Sequence, residues 1–257
     1  MRVLILGGTT EASDLAHRLA DDRRFEMTLS LAGRTANPRM QPVRMRVGGF
    51  GGAEGLAAWL QQEEIEAVID ATHPYADQIS SNAVTACERL SIPLASILRP
   101  SWQPQAGDSW LTVASAEAAA DALGQRPRRV FLSLGRLELG AFAKNPHHHY
   151  IARTIEPPDN AALPPDLRLM FDRGPFDKLA ETTLLEREKI DVLVSKNSGG
   201  AATYAKIEAT RELGIPVVMI ARPLKLSGHA VETATAAVNW LEQRFAHRAT
   251  SCSARGV

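Results

Sequence analysis

Short aliphatic and β-branched runs recur along the chain at 3–6, 27–31, 45–47, 67–71 and 94–98, and helical patterns fill the gaps between them. Short apolar runs read as strands buried on both faces, and spacing of three and four reads as amphipathic helix. Strand–helix alternation specifies parallel sheets with right-handed crossovers, an α/β fold rather than an all-β or bundle fold. The rhythm breaks at Arg99-Pro100-Ser101-Trp102-Gln103-Pro104-Gln105-Ala106-Gly107-Asp108, where two prolines and a glycine mark a domain linker. It resumes with a strand at 111–113, a helix over 116–123 and strands at 130–134, 150–153, 169–171, 192–194 and 217–220. Amphipathic helices are predicted over 201–213 and 234–245, with Trp240 and Leu241 packed in the core. The pattern therefore predicts two α/β domains, 1–99 and 109–246. Residues 247–257 lack apolar periodicity and read as a frayed tail. No internal repeat emerges.

The first strand runs straight into Gly7-Gly8-Thr9-Thr10-Glu11-Ala12 and a helix predicted over 9–20. Glycines let backbone N–H groups approach an anion, and the helix points its positive end at the charge. Ala12 stands where the full dinucleotide fingerprint has its third glycine, a small residue that still allows close packing. The candidate phosphate turn is Gly7, Gly8, Thr9, Thr10 and Glu11. After the second strand, where an NAD site usually carries an acidic residue, the chain has Gly33, Arg34 and Thr35. A guanidinium and a hydroxyl suit a 2′-phosphate, which favours NADPH over NADH. The plainer reading of Arg34 is a solvated loop arginine. Gly48 and Gly49 read as bare backbone passing close to the cofactor's adenine or ribose, or simply as a flexible turn. The domains are thus Rossmann-like, the first holding the cofactor.

Lys+Arg and Asp+Glu each total 29 in 257 residues, so no global field recruits nucleic acid or an acidic membrane. Cys87 and Cys252 show neither metal nor disulfide spacing, which fits a reducing cytoplasm. No apolar run approaches the roughly 20 residues of a membrane span, and the start reads as a core strand rather than a signal peptide. His147, His148 and His149 are adjacent, so at most two rings share a strand face, and no metal site is assigned.

Ligands of parallel sheets bind beyond the carboxyl ends of the strands. There the chain places Asp70-Ala71-Thr72-His73-Pro74-Tyr75-Ala76 and, in the second half, Ser195-Lys196-Asn197-Ser198-Gly199-Gly200. Arg99, Arg136, Arg173, Arg222 and Lys225 add cations at other strand ends, so a small polyanion is expected in a cleft between the domains. Each arginine alone is more often solvated than functional; their common placement carries the argument. Asp70 is expected either to cap the following helix or to orient His73. Thr72, His73 and Asn197 are assigned to the cofactor.

Together, the Gly7–Ala12, Asp70–Ala76, Arg99-Pro100 and Ser195–Gly200 segments resemble the precorrin-6A reductase family of cobalamin biosynthesis, over nearly the whole chain to about Phe245. The resemblance implies NADPH-dependent reduction of one ring double bond in a tetrapyrrole, converting precorrin-6A to precorrin-6B. It gives the cations a purpose: Arg99, Arg136, Arg173, Lys196, Arg222 and Lys225, with Ser198 and Gly199, would face the acetates and propionates of the substrate. His73, Tyr75 and Lys196 are the candidate proton donors, water being the alternative. Glu11 suits a first helical turn yet repels a nearby phosphate, so it is assigned to a ribose hydroxyl. Transient hand-over contacts with neighbouring pathway enzymes are expected. Two other readings stay open, a cobalt-precorrin-6A reductase and a non-catalytic NADPH sensor, and one is set aside, a short-chain dehydrogenase. The last needs a Tyr-x-x-x-Lys pair, and Tyr75, Tyr150 and Tyr204 are followed four places on by Ile79, Thr154 and Glu208.

Overall fold

Residues Arg2–Leu6 form β1, and Gly7 and Gly8 turn the chain into α1 (Thr10–Leu19). This computed structural model describes residues 1–33, 38–158, 162–225 and 228–253. Thr9 starts α1: its extended backbone lets the side-chain oxygen accept the Ala12 N–H at 3.2 Å, satisfying one donor that a helix start leaves orphaned. Ala12, Leu15, Ala16 and Leu19, spaced three and four apart, are the face it buries, each leucine contributing roughly 1.5–3 kcal/mol. The first unit continues with β2 (Glu26–Leu31), β3 (Arg44–Val47), α2 (Gly52–Gln62), β4 (Ala67–Asp70), α3 (Asp77–Leu90) and β5 (Leu94–Ile97).

The second unit holds β6 (Trp110–Val113), α4 (Ala116–Ala122), β7 (Arg129–Ser133), a 3-10 segment (Arg136–Lys144), β8 (His149–Thr154) and β9 (Leu167–Phe171). It continues through α5 (Lys178–Arg187), β10 (Val192–Lys196), a 3-10 turn (Ala201–Thr203), α6 (Ala205–Leu213) and β11 (Val217–Ile220). The chain closes with β12 (His229–Val231) and α7 (Ala234–Ser253).

Two six-stranded parallel sheets result, ordered β12-β5-β4-β1-β2-β3 and β6-β11-β10-β7-β8-β9. The first is covered on one face by α1 and α7 over Val3, Ile5, Met27, Leu29 and Ile69, and on the other by α2 and α3 over Leu4, Leu6 and Val68. The second packs Phe131, Ile151, Leu193 and Met219 against Leu185 of α5 and Ile207 of α6. The two orders are one pattern: β7 to β11 repeat β1 to β5, with β6 standing where β12 stands. A structural repeat exists where the sequence shows none.

The domain boundary differs from the expectation. The first unit is Met1–Pro100 with Leu224–Val257, and the second is Ser101–Pro223, so the chain leaves its first sheet before that sheet is complete and returns to finish it. The Leu98 N–H donates to the Val231 carbonyl at 2.7 Å, and Trp240 and Leu241 of α7 bury in the first unit's core. The expected 109–246 domain therefore ends at Pro223, and the 99–108 linker is one of two crossings. α7 runs on to Ser253, past residue 247 where the tail was expected to begin.

Candidate active site

The turn after β1 is shaped by both of its glycines. A Cβ on Gly7 would lie 2.5 Å from Leu29 Cδ1, so any side chain there requires the buried Leu29 side chain to shift. Gly8 has φ +120 and open space where its Cβ would stand. Bare backbone is thus presented at the positive end of α1. Thr9 Oγ1 donates to the Ala71 carbonyl at 2.7 Å, which joins this turn to the one after β4. Thr10 Oγ1 donates to Glu11 Oε2 at 3.2 Å.

Glu11 is paired within the unit: Arg99 Nη1 donates to its Oε2 at 2.6 Å, both side chains being mostly buried. Burial pushes this carboxyl up, but the hydrogen bond and charge of Arg99 outweigh it and hold Glu11 below its ordinary value. Arg99, expected to meet a substrate carboxylate, takes part in this pair. Gly33 (φ +76) sits against Val47 and the Gly48 backbone, and Gly48 (φ +123) has open space above it. The Arg34 and Thr35 calls lie outside the described residues.

Beyond β4, Asp70 neither caps α3 nor touches His73 by any hydrogen bond described. Its Oδ1 accepts the Thr72 N–H at 3.0 Å and the Thr72 hydroxyl at 2.6 Å, and its Oδ2 lies 3.1 Å from Lys225 Nζ. Lys225 also donates to Thr72 Oγ1 at 3.0 Å, and its side chain is 3% exposed. An ammonium so enclosed and paired is part of the first unit's interior. His73 and Tyr75 share the turn that follows, ring centroids 5.6 Å apart, with the Tyr75 N–H directed at His73 Nδ1 at 3.4 Å.

In the second unit, Lys196 at the end of β10 pairs with Glu138. The Asn197 side chain accepts the Trp102 N–H at 2.8 Å and donates to the Trp102 carbonyl at 2.9 Å, so its amide is spent clasping the incoming chain rather than presented to a cofactor. Ser198 is buried with its hydroxyl 3.4 Å from Thr203 Oγ1, and Gly199 takes φ +71. Arg222 reaches the Asn197 carbonyl at 3.4 Å, and Arg136 donates to the Pro157 carbonyl at 3.2 Å. Arg173 is exposed past β9. Leu137, Ile155 and Phe171 stand beside these last two arginines in sequence or at neighbouring strand ends, 61%, 50% and 59% exposed. A cavity of about 590 Å³ in the same unit is lined by Trp102, Phe176, Lys178, Gly199, Tyr204 and Glu208, among others.

The model of the precorrin-6x reductase CbiJ/CobK family matches residues 2–242. The chain belongs to that family. It is 51% identical over 221 residues to a precorrin-6A reductase of Sinorhizobium sp, covering 86% of this chain and 85% of that protein. It is 27% identical to a cobalt-precorrin-6A reductase of Priestia megaterium, covering 86% and 90%. A solved CobK precorrin-6A reductase superimposes with a TM-score of 0.90 at 46% identity, covering 95% of this chain and 96% of that one. The chain is accordingly an oxidoreductase, and a reductase on Rossmann-like sheets takes a nicotinamide cofactor. Among the described residues, no helix is long and apolar enough to cross a membrane.

This precorrin-6x reductase family member also uses residues that its sequence did not advertise. Arg46 of β3 donates to Ser30 Oγ at 2.9 Å and to the Gly48 and Gly49 carbonyls at 2.9 and 3.1 Å, with its guanidinium 3.8 Å from the Phe50 ring centre. It props the glycine turn from beneath, and burial pushes its pKa down. Glu138 claims Lys196, and only its place three residues after Gly135, like Glu11 three after Gly8, hints at this. Lys206 of α6 is buried, 5.2 Å from the Trp102 ring centre, near the bidentate Arg153–Glu181 pair at 2.5 and 2.9 Å. Burial, then the Arg153 charge, push the Lys206 ammonium down to about 7 against the pull of Glu181. Of the three adjacent histidines, the His147 and His148 rings both reach the Gly124 carbonyl, and His149 meets Asp166.

Proposed function

We propose that the chain reduces one ring double bond of precorrin-6A with NADPH, giving precorrin-6B. The observation that carries this reading is the open Gly8 backbone at the head of α1, in a chain of this family. A nucleotide phosphate fits there: the space a Cβ would fill is empty, and the helix start supplies N–H donors. Gly7, Gly8, Thr10 and the first turn of α1 would hold the pyrophosphate, Arg34 and Thr35 the 2′-phosphate, and Gly33, Gly48 and Gly49 the adenosine edge. Bound NADPH supplies the hydride.

The chain's own residues then position and protonate. Arg136 and Arg173 would take substrate carboxylates, while Leu137, Ile155 and Phe171 give a flat macrocycle an apolar support beside them. Thr72, His73 and Tyr75 sit on the turn tied to the phosphate turn through Thr9, which favours His73 or Tyr75 as the source of the proton over Lys196, already engaged by Glu138. The identity of 51% to a precorrin-6A reductase against 27% to a cobalt-precorrin-6A reductase favours the cobalt-free substrate. We place the reaction in the cytoplasm, with product passed to neighbouring pathway enzymes.

The test incubates purified protein with precorrin-6A and either NADPH or NADH and weighs the product. A gain of two hydrogens, faster with NADPH, supports the reading, and Arg34→Glu should erode the NADPH preference. Cofactor binding without product would favour a sensor instead.

A further inference from the structure

Two buried contacts mark the places where the chain enters each unit. The segments Ile97-Leu98-Arg99-Pro100 and Ile220-Ala221-Arg222-Pro223 occupy equivalent positions: the Leu98 N–H donates to the Val231 carbonyl at 2.7 Å, and the Ala221 N–H to the Val113 carbonyl at 2.7 Å. Two residues past each proline come Trp102 and Lys225. Trp102 is clasped in the second unit by Asn197, and Lys225 in the first by Thr72 and Asp70. Thr72 and Asn197 are themselves equivalent, each two residues beyond a strand residue, Asp70 or Ser195, paired with Ser96 or Met219. The repeat thus uses one position on the turn after its central strand to seize the arriving chain. In the second unit the clasp is neutral. In the first it is an ion pair with both side chains almost wholly buried.

We infer that Lys225 is a positioning residue for the cofactor turn, acting through Asp70 and Thr72. This rests on the NADPH reading above. Asp70 Oδ1 is filled by the Thr72 N–H and hydroxyl, so the conformation of the chain leading into His73 is set by the Asp70 carboxylate. That carboxylate is buried, and among the described residues its Oδ2 faces the Lys225 ammonium, 3.1 Å away. Removing one partner of a buried pair leaves a charge that the interior does not tolerate, and the surrounding backbone moves to rehydrate it. The displaced backbone here is the 71–76 turn, whose Ala71 carbonyl holds Thr9 at the head of α1. The returning segment therefore holds the phosphate turn in shape through Lys225, Asp70, Thr72 and Ala71.

The test compares Lys225→Met and the double variant Asp70→Asn/Lys225→Met with the unaltered enzyme, by NADPH titration and by steady-state kinetics with both substrates. Lys225→Met should raise the dissociation constant and KM for NADPH about tenfold, the scale of coupled buried pairs, with the tetrapyrrole KM within about twofold. The double variant leaves no charge to rehydrate and should regain most of the lost affinity, and it serves as the readout if the single variant does not fold. An NADPH affinity in Lys225→Met equal to that of the unaltered enzyme overturns the inference, as does a double variant as weak as the single. Should the unaltered enzyme itself fail to bind NADPH, the cofactor reading fails first, and separately.

Discussion

Thr9 donates its hydroxyl hydrogen to the carbonyl of Ala71 at 2.7 Å while accepting the Ala12 N–H at 3.2 Å, so a single side chain starts α1 and joins the two turns at the carboxyl edge of the first sheet. Thr9→Val removes both bonds at nearly constant volume. It should destabilise the protein by about 1–3 kcal/mol and weaken NADPH binding, whereas Thr9→Ser should retain both. Thermal unfolding and a cofactor titration on the two variants check this.

The glycines of the same turn separate packing from ligand approach. Gly7→Ala drives a methyl against Leu29 Cδ1 and should lower stability by roughly 1–3 kcal/mol. Gly8→Ala meets no atom of the protein but demands φ +120 of an L residue and fills the space proposed for phosphate. Its NADPH affinity should fall further than that of Gly7→Ala for a similar loss of stability, and paired titration and melting curves would show this.

Arg99→Ala leaves Glu11 half-buried with no cation beside it. Glu11 is held below its ordinary value in the folded protein, so its pairing with Arg99 contributes stability above the ordinary carboxylate range and loses it as pH falls. The variant should be less stable at pH 7 by about 1–2 kcal/mol, with the difference from the parent shrinking toward pH 4. Unfolding curves across that range decide it. Substrate KM should change less than for Arg136→Ala, at the residue proposed to meet a substrate carboxylate.

Lys206 titrates near 7 when folded and near 10.5 ordinarily, so between these values the unfolded chain carries a proton that the folded one lacks. Stability should therefore rise with pH across that window. Lys206→Met should flatten this slope and raise stability at pH 6–7 by about 1–3 kcal/mol, since a buried ammonium gives way to an apolar chain of similar length. A variant less stable than the parent at pH 6 would contradict it.

Most strands and the glycine turn after β1 were legible in the sequence because they rest on local signals, apolar runs and a glycine pair. The destination of the last 34 residues was not, since β12 is three mostly exposed residues and helix periodicity is the same whichever sheet the helix covers. The site divides along the same line. Gly7, Gly8 and Thr9 form the turn that leads from β1 into α1, as their place in the sequence indicated. The partners of Arg99, Lys196, Asn197 and Lys225 were invisible because each lies 58 to 155 residues away in sequence: Glu11 is 88 from Arg99, Glu138 is 58 from Lys196, Trp102 is 95 from Asn197, and Asp70 is 225 − 70 = 155 from Lys225. A cation at a strand end has the same sequence signature whether it awaits a ligand or already has a carboxylate.

The most direct measurement is label transfer: precorrin-6A is reduced with NADPH carrying deuterium at the transferable position, and the product is analysed by mass and NMR. One deuterium on a ring carbon of precorrin-6B, with the second hydrogen drawn from solvent, is the expected result. NADPH oxidation without label in the tetrapyrrole, or binding of both ligands with no product, would contradict the account.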